Sequence, residues 1–202
     1  MEGYIVSKIK EKKIEKEIKL LNSAYKLFTK KGIKETSIQD IVNEAGVAKG
    51  TFYLYFKDKY DLQNKLIIRK SKDLFTEAIK SLNKNYIEDF DDQIIYVINY
   101  VIDLLKNDET LIGFISKDLS LGVYTEGVSN VFEDNNIGIQ KLFFKGIEKH
   151  NKKIKNPEVK LFMIIELVSS TVFTSIIKKQ PLPIEEYKPH LYKMIRNILN
   201  EN

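Results

Sequence analysis

A run of hydrogen-bond donors gives this sequence its clearest chemical signal. Its polar members are Lys49, Thr51, Tyr53 and Tyr55. An ammonium group and neutral hydroxyls can donate to phosphate oxygens and to the acceptor atoms of base edges. The expected chemistry is therefore recognition of an anionic partner.

Two short predicted helices position these donors. Ser37, with Asp40 three residues later, is typical of a helix start, and Gly46 is typical of a stop, since glycine accepts positive φ. The apolar face of the first helix, 38–45, comprises Ile38, Ile41, Val42 and Ala45. The second helix, 48–55, turns Phe52 and Phe56 inward. Two short helices joined by a glycine turn form a helix-turn-helix, whose second helix can enter a DNA major groove.

This stretch resembles the DNA-binding core of the TetR family of transcriptional regulators. The resemblance covers roughly residues 13–73 and is carried by Thr36-Ser37-Ile38, Ile41, Ala45-Gly46-Val47, Lys49-Gly50-Thr51-Phe52-Tyr53, Tyr55-Phe56, Lys59 and Leu62, with Ala24, Phe28 and Gly32 upstream. Ala48 departs from the Ser or Thr that the family more often has, so it offers no side-chain cap. The resemblance implies a dimer on a near-palindromic operator.

The residues expected to bind DNA are Ser37, Lys49, Gly50, Thr51, Tyr53, Leu54, Tyr55 and Lys59. We expect Lys49 and Thr51 near base edges, and Tyr53 and Tyr55 mainly on phosphates. Gly50 lets the backbone approach closely. Ser37 and Lys59 lie at predicted helix N-termini, where anions bind, and are expected to be phosphate anchors.

Composition and charge agree with a basic DNA-binding half. Residues 1–83 carry a net charge of +7 and residues 84–202 a net charge of −2. A solvated lysine-rich surface would give the same asymmetry. The chain has no Cys and only two His, so no metal site or cofactor is expected, and no catalytic motif argues for an enzyme. We found no signal peptide and no apolar run of membrane-spanning length, and predict a cytoplasmic protein without a membrane partner.

The remaining periodicity predicts an all-α protein of about nine helices. An N-terminal three-helix DNA-binding domain, 1–56, is followed by a larger helical domain for effector binding and dimerisation, 57–202. The predicted helices are 10–31, 38–45, 48–55, 59–83, 91–106, 109–121, 128–149, 157–179 and 184–200. The helix over 59–83 continues from the first domain into the second.

Two further sets of residues are candidates for binding sites in the second domain. The effector-pocket set combines polar atoms with apolar surroundings and comprises Phe75, Tyr96, Asn99, Tyr100, Phe114, Ser116, Tyr124, Phe132 and Glu166. Simple core packing with a wet rim explains the set as well, and Glu166 can instead face solvent or a basic residue across a dimer contact. The dimer set comprises Ile164, Leu167, Val168, Thr171, Ser175, Leu191 and Ile195.

The resulting prediction is a dimeric repressor that a small-molecule effector releases from its operator. Two alternatives remain open: an all-helical protein-interaction adaptor, and a TetR-like activator without an effector. The operator sequence, the regulated genes and the effector's identity do not follow from the sequence.

Overall fold

The computed structural model describes residues 2–115, 118–124 and 138–201. All regular structure in these residues is helical, which confirms the all-α prediction. The helices are α1 (Glu2–Glu35), α2 (Ile38–Ala45), α3 (Lys49–Tyr53), α4 (Lys59–Leu82), α5 (Phe90–Lys106), α6 (Glu109–Ile115), α7 (Leu121–Tyr124), α8 (Ile139–Lys149), α9 (Pro157–Phe173) and α10 (Ile184–Asn200). A π-helical turn, Thr174–Lys178, extends α9. The described residues divide into two compact units, one ending at Leu66 and the other starting at Ile67.

The first unit consists of α1, α2, α3 and the first turns of α4. α1 packs on α2, and α2 on α3. The buried apolar side chains of this unit are Leu20, Leu21, Ala24, Phe28, Ile41, Val42, Phe52, Phe56, Leu62 and Leu66. Each large side chain among them stabilises the fold by roughly 1.5–3 kcal/mol through removal from water. This small core holds α3 in place, because a five-residue helix is not stable alone.

Both ends of α2 follow the predicted local signals. The Asp40 N–H donates to Ser37 Oγ at 3.1 Å, and the Ser37 N–H donates to Asp40 Oδ2 at 2.8 Å. This reciprocal capping box is worth about 1 kcal/mol. At the other end Gly46 adopts the left-handed conformation, with φ of 65°. Ala48 precedes α3 without a side-chain cap, as its missing oxygen requires.

The second unit is built around α5, which contacts α6, α8 and α10. Its buried residues are Phe90, Asp91, Ile94, Val97, Ile98, Val101, Ile102 and Leu105. This largely apolar helix therefore lies at the centre of the second unit. The one buried carboxylate among them, Asp91, is compensated, since it accepts hydrogen bonds from Lys152 and Asn200.

A close approach between α8 and α5 depends on Gly146. A β-carbon at this buried position would lie 2.3 Å from Cε2 of Phe90. Real β-carbons do not tolerate such a distance. Gly146 therefore lets the two helices pack with the Phe90 ring between them.

Two predictions about helix extent and one about the length of apolar runs need correction. The helix predicted over 109–121 ends at Ile115, and α7 is a separate turn. Of the helix predicted over 128–149, the described part begins at Ile139 behind the N-cap Gly138. Pro157–Lys178 is also long and apolar enough to span a membrane, with a mean hydropathy of 1.7, contrary to our prediction. In this fold that segment packs against α8 and α10, and 44% of its most apolar stretch is buried.

Candidate nucleic-acid interface

The side chains of α3 divide into an inward and an outward set. Phe52 is fully buried, and its ring lies 5.4 Å from that of Phe56, centroid to centroid. On the opposite face Tyr53 is 54% and Leu54 74% exposed. A leucine this exposed contributes little to folding, which leaves it available to contact a partner.

The remaining predicted donors vary in accessibility. Lys49 and Gly50 are exposed, whereas Thr51 and Tyr55 are half-buried. Burial raises the pKa of Tyr55, and the charge of nearby Glu17 raises it further, so this phenol remains a hydrogen-bond donor at neutral pH. Gly50 has ordinary helical geometry, and a β-carbon there would meet no atom within 4 Å. The protein itself therefore gives no reason for a glycine at this position.

Ser37 is exposed at the start of α2, and its partner Asp40 also pairs with Lys31 at 2.9 Å. Hydrogen bonds from the Ser37 backbone, then from Lys31 and from the Ser37 side chain, lower the pKa of Asp40 to about 2. The carboxylate thus stays charged throughout the physiological range and holds the start of α2.

Lys59 does not have the free ammonium group that we expected of a phosphate anchor. Its Nζ donates to the backbone carbonyl oxygens of Ile33 at 2.8 Å, Lys34 at 3.1 Å and Thr36 at 2.9 Å. An ammonium has three protons, and these three acceptors use them all. The structure therefore gives Lys59 a positioning role: it ties the start of α4 to the junction between α1 and α2.

Two residues near this face were missed by sequence reasoning. Tyr60 is about half exposed, and the Lys59 ammonium lies 5.6 Å from its ring centroid. Lys65 donates to the Tyr55 carbonyl oxygen at 2.8 Å and lies over the Phe56 ring. The available signal for Tyr60 was its place in the first turn of α4, off the apolar stripe formed by Leu62 and Leu66. For Lys65 no sequence signal was available, because its acceptor is a backbone carbonyl.

The predicted effector-pocket residues do not share one cavity among the described residues. Phe75 is a buried core residue, and Phe114 packs against the same core. Tyr96 bonds to Ser81 and Asn85, and Tyr100 donates to Glu77. Asn99 accepts from Tyr192 at 2.6 Å and donates to Asp103 at 3.0 Å. The polar atoms of Tyr96, Asn99 and Tyr100 are thus already hydrogen-bonded to other residues of the protein. Ser116, Phe132 and the side chain of Tyr124 lie outside what the structure describes.

Most of the predicted dimer residues face the protomer's own core. Ile164, Val168, Ser175, Leu191 and Ile195 are all buried within the single chain, so they are not available at its surface. Thr171 is half-buried and donates to the Leu167 carbonyl oxygen. The exposed faces of α9 and α10 are therefore not the faces that the sequence predicted.

The exposed apolar face of α9 and α10 is centred on Phe162, Met163 and Met194, each about half exposed. These side chains line a shallow groove of about 890 Å³ together with Glu166 and Leu167. Glu166 therefore lies at this surface and not among the other pocket candidates. Among the described residues, no group of three or more His, Cys, Asp or Glu is placed to hold a metal ion.

Comparisons with known proteins agree with the helix-turn-helix geometry. A profile described as "Bacterial regulatory proteins, tetR family" matches residues 20–66, the segment from α1 into α4. The HTH-type transcriptional regulator YvdT of Bacillus subtilis (strain 168) is 29% identical over 191 residues, covering 90% of this chain and 93% of that protein.

Solved structures show the same fold. The fatty acid degradation regulator FadR from Bacillus halodurans superposes with a TM-score of 0.57 at 18% identity, covering 91% of this chain and 98% of that one. FadR from Bacillus subtilis, solved in complex with stearoyl-CoA, superposes with a TM-score of 0.57 at 19% identity, covering 92% of this chain and 98% of that one. The buried Phe52, the capped α2 and the exposed α3 thus occur in a chain whose relatives are regulators. Residues 20–66 thus match the tetR family of bacterial regulatory proteins, and the chain is similar over most of its length to an HTH-type transcriptional regulator.

Proposed function

We propose that this protein is a dimeric repressor that binds a near-palindromic operator through α3 and leaves it when a small-molecule effector binds. Residues 1–56 act on DNA, and residues 57–202 provide dimerisation and effector binding. The protein works in the cytoplasm and catalyses no reaction. The observation that carries the proposal is the outward side of α3 and its C-cap, where Lys49, Tyr53 and Leu54 are exposed.

Dimerisation is supported by two arguments. One recognition helix of five residues reaches few base pairs, so two copies are needed for useful specificity. The apolar face around Phe162, Met163 and Met194 is also the kind of exposed patch that marks an interaction site. Pairing α9 and α10 of two protomers about a two-fold axis forms a four-helix bundle and covers this face.

Effector response is supported by the similarity to FadR from Bacillus subtilis, which was solved in complex with stearoyl-CoA. An effector releases DNA only if it binds more tightly to a conformer that fits the operator poorly. The proposed repressor therefore has two conformers, and the ligand shifts the balance between them.

The DNA-binding part can be tested by selection from a library of random duplexes. We expect enrichment of an inverted repeat whose half-site centres lie about one helical turn, ~34 Å, or a multiple of it apart. Affinity for the selected site should fall steeply with salt concentration. Tyr53→Phe and Leu54→Ala should weaken binding while the folded protein is retained. Enrichment of no sequence, or salt-independent binding, would contradict the proposal.

The dimer part can be tested by sedimentation of the double variant Met163→Glu, Met194→Glu. We expect the unmodified protein to be a dimer of 23.6 kDa chains and the variant to be a folded monomer. Phe144→Ser, a change of an exposed aromatic residue on α8, is the matched control and should remain dimeric. An unmodified protein that sediments as a monomer at micromolar concentration would rule out the two-half-site account.

A further inference from the structure

The second unit contains a cleft whose floor is apolar and whose wall is basic. It has a volume of about 420 Å³ and lies between the C-terminal end of α4, the segment leading into α5, and α8. Its apolar lining comes from Ile79, Leu82, Ile87 and Leu142. This size falls within the range of about 300–1,000 Å³ that is usual for small-molecule sites.

The basic wall is formed by one face of α8. Lys141, Lys145 and Lys149 are spaced four residues apart, so their side chains follow one another along the same side of the helix, and all three line the cleft. Like charges at this spacing destabilise a helix. The helix dipole partly compensates the positive charge of Lys149, because this residue lies in the last turn of α8. The charge of Lys141 has no such compensation.

No described carboxylate lies within ion-pair distance of these three lysines. The described ion pairs on the second unit involve other cations, such as Lys152 with Asp91 and Lys188 with Asp103. Lys141, Lys145 and Lys149 are all exposed. Their mutual repulsion is thus not offset by the described residues, whereas a bound anion would offset it.

The rim of the cleft adds a second apolar feature. Tyr86 is 92% exposed, although its ring is large and mostly apolar. Two nearby amide groups are already used: Asn85 donates to Tyr96 and to the Ser81 carbonyl oxygen, and Gln93 donates to the Ile87 carbonyl oxygen. The contacts left for a ligand are therefore mainly apolar surface and positive charge.

We propose that this cleft binds an anionic amphiphile, with its alkyl chain on Ile79, Leu82 and Leu142 and its charged head on Lys141, Lys145 and Lys149. The head group is a carboxylate or a phosphate, because a lysine ammonium acts as a point charge toward either anion. This assignment names the effector class of the ligand-responsive repressor proposed above and rests on that proposal.

The test is calorimetric titration of the full chain with dodecanoate and with dodecyl phosphate, each below its micelle concentration. Dodecanol lacks the charge, and acetate and inorganic phosphate lack the chain. We expect both charged amphiphiles to bind at least tenfold more tightly than dodecanol, with no measurable binding of acetate or phosphate. The ratio between the two amphiphiles identifies the head group.

The matched variants keep the number of lysines removed constant. Lys141→Gln, Lys145→Gln, Lys149→Gln should weaken amphiphile binding at least tenfold. Lys153→Gln, Lys155→Gln, Lys178→Gln removes three exposed lysines away from the cleft and should leave it unchanged. A thermal melt of each variant shows that it is folded. Equal affinity in both triple variants, or dodecanol binding as tightly as dodecanoate, would overturn the assignment.

A second measurement separates this inference from the proposed function. Operator affinity is measured with and without the bound amphiphile. Lysine-dependent binding that leaves operator affinity unchanged supports the cleft assignment and contradicts its role as the effector site. Absence of amphiphile binding by a protein that still selects an inverted repeat overturns the cleft assignment and leaves the repressor proposal standing.

Discussion

The Lys59 ammonium donates a hydrogen bond of 2.8 Å to the backbone carbonyl oxygen of Ile33, which lies 26 positions earlier in the chain. The same ammonium bonds to the carbonyl oxygens of Lys34 and Thr36. One side chain thus donates to backbone carbonyl oxygens at and just after the C-terminal end of α1, and it ties the start of α4 to them. Lys59 therefore stabilises the fold, although its place at a helix start predicted a contact with DNA phosphate.

Lys59→Met is therefore expected to lower the free energy of unfolding by about 1–2 kcal/mol, the range for hydrogen bonds from a charged group at a partly exposed site. Urea unfolding of the full chain measures this change. The slope of log operator affinity against log salt concentration should stay the same, because no phosphate contact is lost. Lys57→Met, at an exposed position nearby, is the control. Unchanged stability together with a shallower salt slope would restore the phosphate-anchor interpretation.

Gly50 and Gly46 should respond in opposite ways to replacement by alanine. Gly50 is helical with free space around it, so Gly50→Ala should leave stability unchanged or raise it by up to about 1 kcal/mol. Operator affinity should nevertheless fall, because the added methyl group meets the DNA surface. Gly46→Ala should destabilise the protein by roughly 1–2 kcal/mol, since its φ is 65°. Full operator affinity in folded Gly50→Ala would show that the backbone does not approach DNA here.

The contact between Gly146 and Phe90 predicts a strongly coupled pair. Gly146→Ala alone should cost roughly 1–3 kcal/mol through overpacking, because its β-carbon would lie 2.3 Å from the ring. Combining it with Phe90→Leu removes the obstructing atoms and should recover part of this cost. A double-mutant cycle of unfolding free energies measures the coupling. Strict additivity would mean that the helices move apart instead.

Asp40 predicts a specific pH dependence of stability. Its pKa is lowered from 3.8 to about 2 in the folded protein, chiefly by the hydrogen bond from the Ser37 backbone. A group whose folded-state pKa is depressed contributes stability above its unfolded pKa, and that contribution is lost as the pH falls through the folded value. We expect the urea midpoint of Asp40→Asn to vary less between pH 4 and 2 than that of the unmodified protein. Identical pH profiles would contradict this role of Asp40.

The helix-turn-helix could be predicted closely because its signals are local. Ser37, Asp40 and Gly46 define the ends of α2 through contacts within four residues. The four-residue spacing of Phe52 and Phe56 predicts that both side chains lie on one side of the helix. In such a segment the residue types alone carry the necessary information.

Which face of α9 is buried could not be predicted in the same way. Ile164 and Val168 differ little in type from Phe162 and Met163, so an almost uniformly apolar stretch gives no preferred side. Which residues are buried depends on where α8 and α10 pack, and this is tertiary information. The surroundings of the effector-pocket candidates are tertiary information as well: the sequence does not show that Asn99 accepts a hydrogen bond from Tyr192, 93 positions away.

The outward side chains of α3 carry a consequence for how such a regulator can change over generations. Lys49 and Leu54 are exposed, so most substitutions at these two positions should alter the free energy of unfolding by less than about 0.5 kcal/mol. A duplicated copy of the gene can acquire a new target sequence one residue at a time while every intermediate still folds. Selection for a new target and selection for a stable protein thus act on different residues of α3 and its C-cap.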